Sequence, residues 1–177
     1  MDQQPATTID WTIRPATDGD GDALAELIAA CFAEYPGCLF DRALEFPELD
    51  AIDSFFEGRD GRLWVAQAGG YLVGSLGTWR NADGAIELTK VYVDRAHRGR
   101  GLAVDLLARA VERAVETAAP RLELWSDTRF TRAHRFYEKH GFLPTGETRF
   151  LADLSHSWED RYVRPLNAAT GWPRASP

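Results

Sequence analysis

The chain has 177 residues, 45% of them apolar and 27% charged, with a formal net charge of −7. This length suits one domain with a single core, and the composition excludes a disordered chain. The acidic balance argues against a nucleic-acid partner, and no apolar stretch reaches the roughly 20 residues that span a bilayer. The N-terminus lacks the basic start and apolar run of a signal peptide, so we expect a cytoplasmic protein without a membrane partner.

We expect a single domain over residues 1–177, with an ordered core over about 8–165. A loose tail over 166–177 is predicted, because this segment is rich in Pro, Ala and Gly. Cys31 and Cys38 fit no zinc-binding spacing, and the four histidines form no pair at ligand spacing. The sequence therefore predicts reduced thiols and no metal site.

Alternating and helical patterns between turn signals predict the order of elements. Pro15 ends a first strand, Gly69-Gly70 marks a hairpin, and the most amphipathic helix starts after Gly101. Helices are predicted after residue 20, over 48–57, from 102 to about 116, and over 130–140. Strands are predicted over 8–14, 63–68, 71–78, 85–94, 122–125, 147–151 and 157–164.

The strands at 85–94 and 121–126 are joined by a helix, and a right-handed crossover makes such strands parallel neighbours. The remaining strands follow one another by short turns, which favour antiparallel pairing. The sequence therefore predicts an α/β fold (α+β in some schemes), with a mixed, mostly antiparallel sheet of six to seven strands and about four flanking helices.

Residues 98–103 read Arg-Gly-Arg-Gly-Leu-Ala and lie between a strand and the most amphipathic helix. A helix N-terminus exposes unpaired N–H groups and the positive end of the helix dipole, and glycines let a ligand approach the backbone closely. Arg98 and Arg100 can add charge-assisted hydrogen bonds. The segment therefore predicts a phosphate or pyrophosphate site.

Two alternatives concern this same segment. Gly99, Gly101 and Val104, with Glu123 about twenty residues further on, half-match the fingerprint of dinucleotide-binding folds. Against that reading, the third glycine is absent, the segment follows three hairpin strands, and too few residues remain for a second mononucleotide half. A glycine-rich turn that binds nothing also stays open from this segment alone.

The stretch from Leu88 to Ala103 resembles motif A of the GNAT superfamily of N-acetyltransferases. The motif's pattern Arg/Gln-x-x-Gly-x-Gly/Ala is met by Arg98, Gly101 and Ala103, and residues 136–142 resemble motif B. The resemblance covers about residues 12–164. It implies acetyl-CoA as cosubstrate and a V-shaped splay between the strands at 85–94 and 121–126.

The resemblance also implies a donor site. Backbone groups of the strand would bind the pantetheine arm like an added strand, and an N–H near Val93 would bind the oxyanion. The implied pantetheine-binding residues are Val91, Tyr92 and Val93. The implied pyrophosphate-binding residues are Arg98, Gly99, Arg100, Gly101, Leu102 and Ala103.

Two residues are candidate catalysts by the same resemblance. Tyr137 of motif B would donate a proton to the leaving thiolate, although an aromatic packed against the sheet is the alternative. Glu87 would accept the proton of the amine, often through water in the family, although a solvent-facing strand residue is the alternative. Period-2 alternation places Glu87, Val91 and Val93 on one face of the strand unless a bulge intervenes.

One position departs from the family. Motif B often has Asn three residues before the alanine that Ala133 matches, and this chain has Phe130 there. We expect the polar side chains of residues 126–128 to substitute for that amide through other contacts.

The acceptor is predicted least well. Residues 34–60 carry an acidic excess, which can attract a cationic amine or simply be a solvated surface. The leading hypothesis is direct acetyl transfer onto a primary amine of a small molecule. The alternatives are a protein or peptide N-acetyltransferase, which needs an open groove between the loop after residue 34 and the final hairpin, and a non-enzymatic acyl-CoA sensor. Family members often dimerise, sometimes through the last strands, which leaves a homodimer open.

Overall fold

The computed structural model describes residues 11–166, in which one seven-stranded sheet lies between helices on both faces. Its strands are β1 (Thr12–Pro15), β2 (Arg62–Ala68), β3 (Tyr71–Arg80), β4 (Ile86–Val93), β5 (Arg121–Asp127), β6 (Leu143–Phe150) and β7 (Trp158–Pro165). Its helices are α1 (Gly21–Phe32), α2 (Arg42–Glu45), α3 (Ile52–Glu57), α4 (Leu102–Glu116) and α5 (Thr131–Lys139). Short 3-10 turns occupy Asp18–Asp20, Pro47–Ala51 and Arg95–His97.

The strand order is β1-β2-β3-β4-β5-β7-β6, and every pair is antiparallel except β4 with β5. The parallel pairing runs only from Ile86 opposite Leu122 to Leu88 opposite Leu124. Both strands continue beyond that point without pairing to each other, so they diverge. The predicted mixed sheet and its splay are confirmed.

The two faces of the sheet carry separate cores. The apolar stripe of α4, which includes Leu106 and Ala110, packs with Ile86 and Leu124 on one face. On the other face, α1 and α3 pack through residues such as Ile28 against β2. Each core buries its apolar residues almost completely, which fixes the sheet between the helices.

Most of the predicted elements are confirmed, with two differences. The helix predicted over 48–57 is broken, because Pro47 starts a 3-10 turn and only Ile52–Glu57 is α-helical. A further short helix, α2, precedes it. This helix begins where the Asp41 side chain accepts a hydrogen bond from the Leu44 N–H at 2.9 Å. The strand predicted over 147–151 starts earlier, at Leu143, on the edge of the sheet.

The predicted domain limits fall partly outside the described residues, because residues 1–10 and 167–177 lie beyond them. Within residues 11–166, no helix has the length and apolarity that crossing a membrane requires.

Candidate active site

A cleft of about 610 Å³ opens where β4 and β5 diverge. Its walls come from the end of α1, from β4, from the loop before α4 and from one face of α5. The sequence-predicted residues at the cleft are Val91, Tyr92, Val93, Arg98, Gly99, Gly101, Ala103 and Tyr137. Two predicted residues lie outside the lining: the Arg100 side chain is exposed to solvent, and the Leu102 side chain is buried in the core.

The loop before α4 is held open by two glycines. Gly99 and Gly101 have φ of 72° and 96°, in the left-handed region that side chains rarely adopt. A Cβ at either position would meet no other atom within 4 Å, so the space above the loop is open. Gly101 is the N-cap of α4 and supplies no capping side chain. The N–H groups of the first turn of α4 therefore face this opening, as an anion site requires.

Arg98 is bound differently from the prediction. Its Nη1 and Nη2 donate to the two carboxylate oxygens of Glu34 at 2.7 and 2.6 Å, and its Nε donates to the Val93 carbonyl at 2.9 Å. The hydrogen bond from Arg98 is the main cause that lowers the pKa of Glu34. In this structure the Arg98 guanidinium forms an ion pair with Glu34, just after the C-terminal end of α1, and its charge-assisted bond to a phosphate stays a prediction.

Positive charge reaches the cleft from α5 instead. Arg132, Arg135 and Lys139 all line it, and within residues 11–166 none of them has an ion pair with a carboxylate. Their spacing of i, i+3 and i+7 places them on one helix face. The sequence analysis missed this face, although the helical spacing of the three cations beside motif B was a usable signal.

Tyr137 lies at the base of the cleft with only 5% of its surface exposed. Its ring packs edge-on against Phe136 and Phe142, with centroids 5.7 and 5.6 Å apart. In the described part of the chain its hydroxyl has no hydrogen-bond partner, and burial raises its pKa well above the ordinary value. The phenol therefore stays protonated at neutral pH, which suits a proton donor.

β4 contains a bulge between the part that carries Glu87 and the part that lines the cleft, Val91–Val93. Ser75 of β3 lies opposite Tyr92, whereas Gly77 lies opposite Thr89, so β4 has one extra residue across this step. Lys90 lies within the step and adopts a left-handed φ of 51°, which is uncommon for a residue with a side chain.

The bulge changes the face on which Glu87 lies. Val91 and Val93 pack into the same core as Ile86 and Leu88, on the α4 side of the sheet. Glu87 alternates with Ile86 and Leu88 and so lies on the opposite face, outside the lining of the cleft. Glu87 therefore does not share a face with Val91 and Val93, because the bulge that the predicted alternation excluded is present and shifts it.

The face that carries Glu87 holds further carboxylates near the splay, including Glu123 of β5 directly opposite Glu87. Glu159 of β7 lies opposite Asp127 of β5 and accepts a hydrogen bond from Arg149 at 2.7 Å. Burial is the main cause that raises the pKa of Glu159, and the charges of Asp127 and Glu87 raise it further. Glu159 was missed by the sequence analysis, because only the register of β5 with β7 brings it close to Glu87.

Phe130, the departure from motif B, contacts the end of α1 across the cleft. Its ring lies 4.7 Å from that of Tyr35 and 6.2 Å from that of Phe32, and Phe130 and Tyr35 both line the cleft. None of residues 126–128 is in the lining, so the predicted polar substitution is not found there. An aromatic contact takes the position instead. The same lining includes Cys31 of α1, whose thiol pKa is raised chiefly by burial.

The splayed sheet, the glycine-rich loop at a helix N-terminus and the cationic face of α5 together form a cleft whose shape and charge suit an extended phosphorylated ligand. The model of the Acetyltransferase (GNAT) family matches residues 22–142, which is most of the chain. The chain therefore belongs to the GNAT family of N-acetyltransferases, and the resemblance that the sequence suggested is confirmed.

Known relatives and structures agree with this assignment. An uncharacterized N-acetyltransferase of Escherichia coli K12, YjgM, is 32% identical over 136 residues, which are 73% of this chain and 80% of that protein. An uncharacterized N-acetyltransferase of Mycobacterium tuberculosis is 32% identical over 102 residues, 58% of this chain, and the match spans only 65% of that relative's length.

A solved structure with a similar fold contains a cofactor of its own. The fold of yncA from Salmonella typhimurium, solved with its cofactor acetyl-CoA, superposes with a TM-score of 0.69 at 21% identity, covering 94% of this chain and 99% of that chain. This similarity shows a shared fold. In residues 11–166, no group of three or more His, Cys, Asp or Glu side chains is arranged to hold a metal ion.

Proposed function

We propose that the chain transfers an acetyl group from acetyl-CoA directly onto a primary amine of a small molecule. The observation that carries the proposal is the cleft at the β4–β5 splay, which combines an open anion loop with the hydroxyl of Tyr137, for which residues 11–166 supply no hydrogen-bond partner. Family membership supplies the reaction class, and the residues of this chain supply the roles below.

The donor site fits coenzyme A by shape and charge. The pyrophosphate would bind to the N–H groups of residues 98–103 and α4, where a Cβ at Gly99 or Gly101 meets open space. Arg132, Arg135 and Lys139, which have no carboxylate partner within the described part of the chain, add positive charge along the same cleft. The exposed backbone edge of Val91–Val93, beyond the last β5 pair, would bind the pantetheine arm as an added strand.

Tyr137 would supply the proton for the leaving thiolate. Burial keeps the phenol protonated, and the hydroxyl has no competing partner among the described residues, so it is free to donate into the cleft. A backbone N–H near Val93 would stabilise the developing oxyanion. Coenzyme A brings the activated thioester, and the chain orients it and manages the protons.

Removal of the amine's proton is assigned to the opposite face of the sheet. Glu87 lies there, away from the cleft lining, so it would accept the proton through water rather than by direct contact. Glu159 is a second candidate base, because its raised pKa brings it closer to neutrality than an ordinary glutamate.

A contact between loops favours a small acceptor over a peptide. The segment after α1 is tied to the turn before β7, where the Leu39 N–H donates to the Ser155 hydroxyl at 2.8 Å and the Leu154 N–H donates to Glu45 at 2.5 Å. These hydrogen bonds bridge the groove that an extended peptide acceptor would need. A small amine can enter beside such a bridge.

The test is release of coenzyme A from acetyl-CoA across a panel of polyamines, amino acids, aminoglycosides and short peptides. We expect turnover with at least one small amine and none with the peptides. Turnover with peptides alone would support the protein-acetylating alternative. Tight acetyl-CoA binding without turnover on any acceptor would support a sensor and contradict the proposal.

A further inference from the structure

The structure differs most clearly from the motif's expected role at Arg98, the first residue of the family's loop pattern. Its guanidinium is a fork of five N–H donors. Nε is bound to the Val93 carbonyl, both terminal nitrogens are bound to Glu34, and Nη2 also approaches the Cys31 sulfur at 3.8 Å. Little donor capacity is left for a phosphate.

Glu34 lies where a carboxylate is electrostatically unfavourable unless a cation compensates it. It follows the C-terminal end of α1, where the helix dipole presents its negative end and disfavours an anion. Its partner Arg98 compensates that charge, and the two side chains are only 24% and 17% exposed. Removal of either partner would leave a partly buried charge without its counterion.

The ion pair connects the donor loop to the other wall of the cleft. Arg98 extends from the loop, and Glu34 is followed directly by Tyr35, whose ring packs on Phe130 of the α5 side at 4.7 Å. The pair therefore fixes both the anchor of the phosphate loop and the place where α1 and α5 meet over the cleft.

We propose that Glu34 is a positioning residue for donor binding. It acts through Arg98, which holds the phosphate loop against the end of α1 and is not itself a phosphate ligand. The charge that attracts the phosphates then comes from α5 and the N-terminus of α4. This inference rests on the proposed acetyl-CoA site and deepens it.

The direction in which Glu34→Gln changes the affinity for acetyl-CoA separates positioning from direct binding. If Glu34 positions the loop, Glu34→Gln weakens acetyl-CoA binding by about tenfold, equivalent to roughly 1.4 kcal/mol, as titration calorimetry would measure. If Arg98 instead binds phosphate directly, Glu34→Gln removes an opposing negative charge, frees the guanidinium and tightens binding. Unchanged or tighter binding overturns the proposal.

Kinetics and a matched control exclude a general structural effect. We expect Glu34→Gln to raise the KM for acetyl-CoA while kcat stays within about twofold, because the groups at the thioester are untouched. Glu26→Gln makes the same change within α1, the helix that Glu34 follows, at an exposed residue for which no ion pair exists within residues 11–166. It should leave both constants unchanged.

Variants of Arg98 keep the test decisive if Glu34→Gln does not fold. Lys retains the charge but cannot reproduce the fork, so Arg98→Lys weakens binding about as much as Arg98→Gln if the role is positioning. A direct phosphate ligand would tolerate lysine. The double variant Glu34→Gln with Arg98→Gln should bind no worse than the weaker single variant, because both remove one interaction. Additive losses contradict the proposal.

Binding of acetyl-CoA to the unaltered chain distinguishes failure of the proposed function from failure of the positioning role. If the unaltered chain binds no acetyl-CoA, the donor site itself is wrong and the positioning role falls with it. If the unaltered chain binds acetyl-CoA and Glu34→Gln binds it at least as well, only the positioning role is overturned.

Discussion

The two faces of the sheet at the β4–β5 splay are built from different interactions. On the α4 side, the donor cleft uses backbone N–H groups, glycines and a helix end, and its cations on α5 have no carboxylate partner within the described residues. On the opposite face, Glu87 and Glu159 lie among strand side chains, and Lys90 and Glu48 pair at 2.5 Å with little exposure.

This difference shows how the fold divides its work. In the proposed site the donor would be bound by backbone geometry, which tolerates change in side chains elsewhere. The face assigned to proton removal and the acceptor depends on individual charged residues whose neighbours are set by strand register. We therefore expect changes in the glycine loop and the cationic face of α5 to affect binding of acetyl-CoA. Changes at Tyr137, or on the face assigned to proton removal, should affect turnover or its pH dependence.

The largest expected effect is at Tyr137, which packs in the core on the α4 side and lines the cleft. Tyr137→Phe should lower kcat by about 100-fold, because general acid catalysis typically contributes that much, while acetyl-CoA affinity stays nearly unchanged. Steady-state kinetics and titration calorimetry measure the two quantities. Tyr71→Phe, at an exposed tyrosine of β3, is the matched control. An unchanged kcat would remove Tyr137 as the acid.

The next effect tests the backbone loop. Gly101→Val should weaken acetyl-CoA binding by more than about tenfold, because it fills the opening above the loop and strains a left-handed residue by roughly 1–2 kcal/mol. Gly146→Val imposes similar strain at φ 82° on β6, where a Cβ also meets open space. The control should lose comparable thermal stability but keep its affinity. Equal affinity loss in both variants would show that strain alone explains the effect.

A smaller effect distinguishes the candidate bases. Glu87→Gln should lower kcat at neutral pH by about tenfold if Glu87 accepts the proton, with partial recovery as pH rises and the free amine becomes more abundant. Because burial raises the pKa of Glu159, its carboxyl group would lose its proton, and become able to act as a base, only at a pH above the ordinary range for glutamate. If only Glu159→Gln moves the acidic limb of the kcat profile, the assignment to Glu87 is wrong.

The smallest effect concerns the cationic face. Arg135→Ala and Lys139→Ala should each weaken acetyl-CoA binding by about threefold to tenfold, with a loss that shrinks at high salt, because exposed charges are screened. Arg62→Ala removes an exposed arginine of β2, far from the lining of the cleft, and should have no effect. A salt-independent loss at Arg135 or Lys139 would point to packing rather than to attraction of phosphate.

The donor side could be predicted from the sequence because its determinants are local. Gly99 and Gly101 mark positions that need a left-handed backbone, and the apolar stripe from Leu102 marks the helix that begins there. Tyr137 could be placed at the cleft because motif B fixes its position on a short helix.

The rest depended on contacts between distant segments. The face on which Glu87 lies depends on a bulge at Lys90 that no residue type in the sequence indicated. Glu159 comes close to Glu87 only through the register of β7 with β5. The partner of Arg98 lies 64 residues away in sequence, so its pairing with Glu34 could not be predicted from the loop. The same holds for Phe130, which meets Tyr35 only once the fold is formed.

The central claim is that residues 98–103 and the adjoining cleft bind coenzyme A. Its most direct test is titration calorimetry of acetyl-CoA into the full chain, with competition by CoA and by NAD. We predict saturable binding that CoA displaces, that NAD leaves unchanged, and that Gly101→Val weakens. No binding of acetyl-CoA, or displacement by NAD as effective as displacement by CoA, would contradict the account.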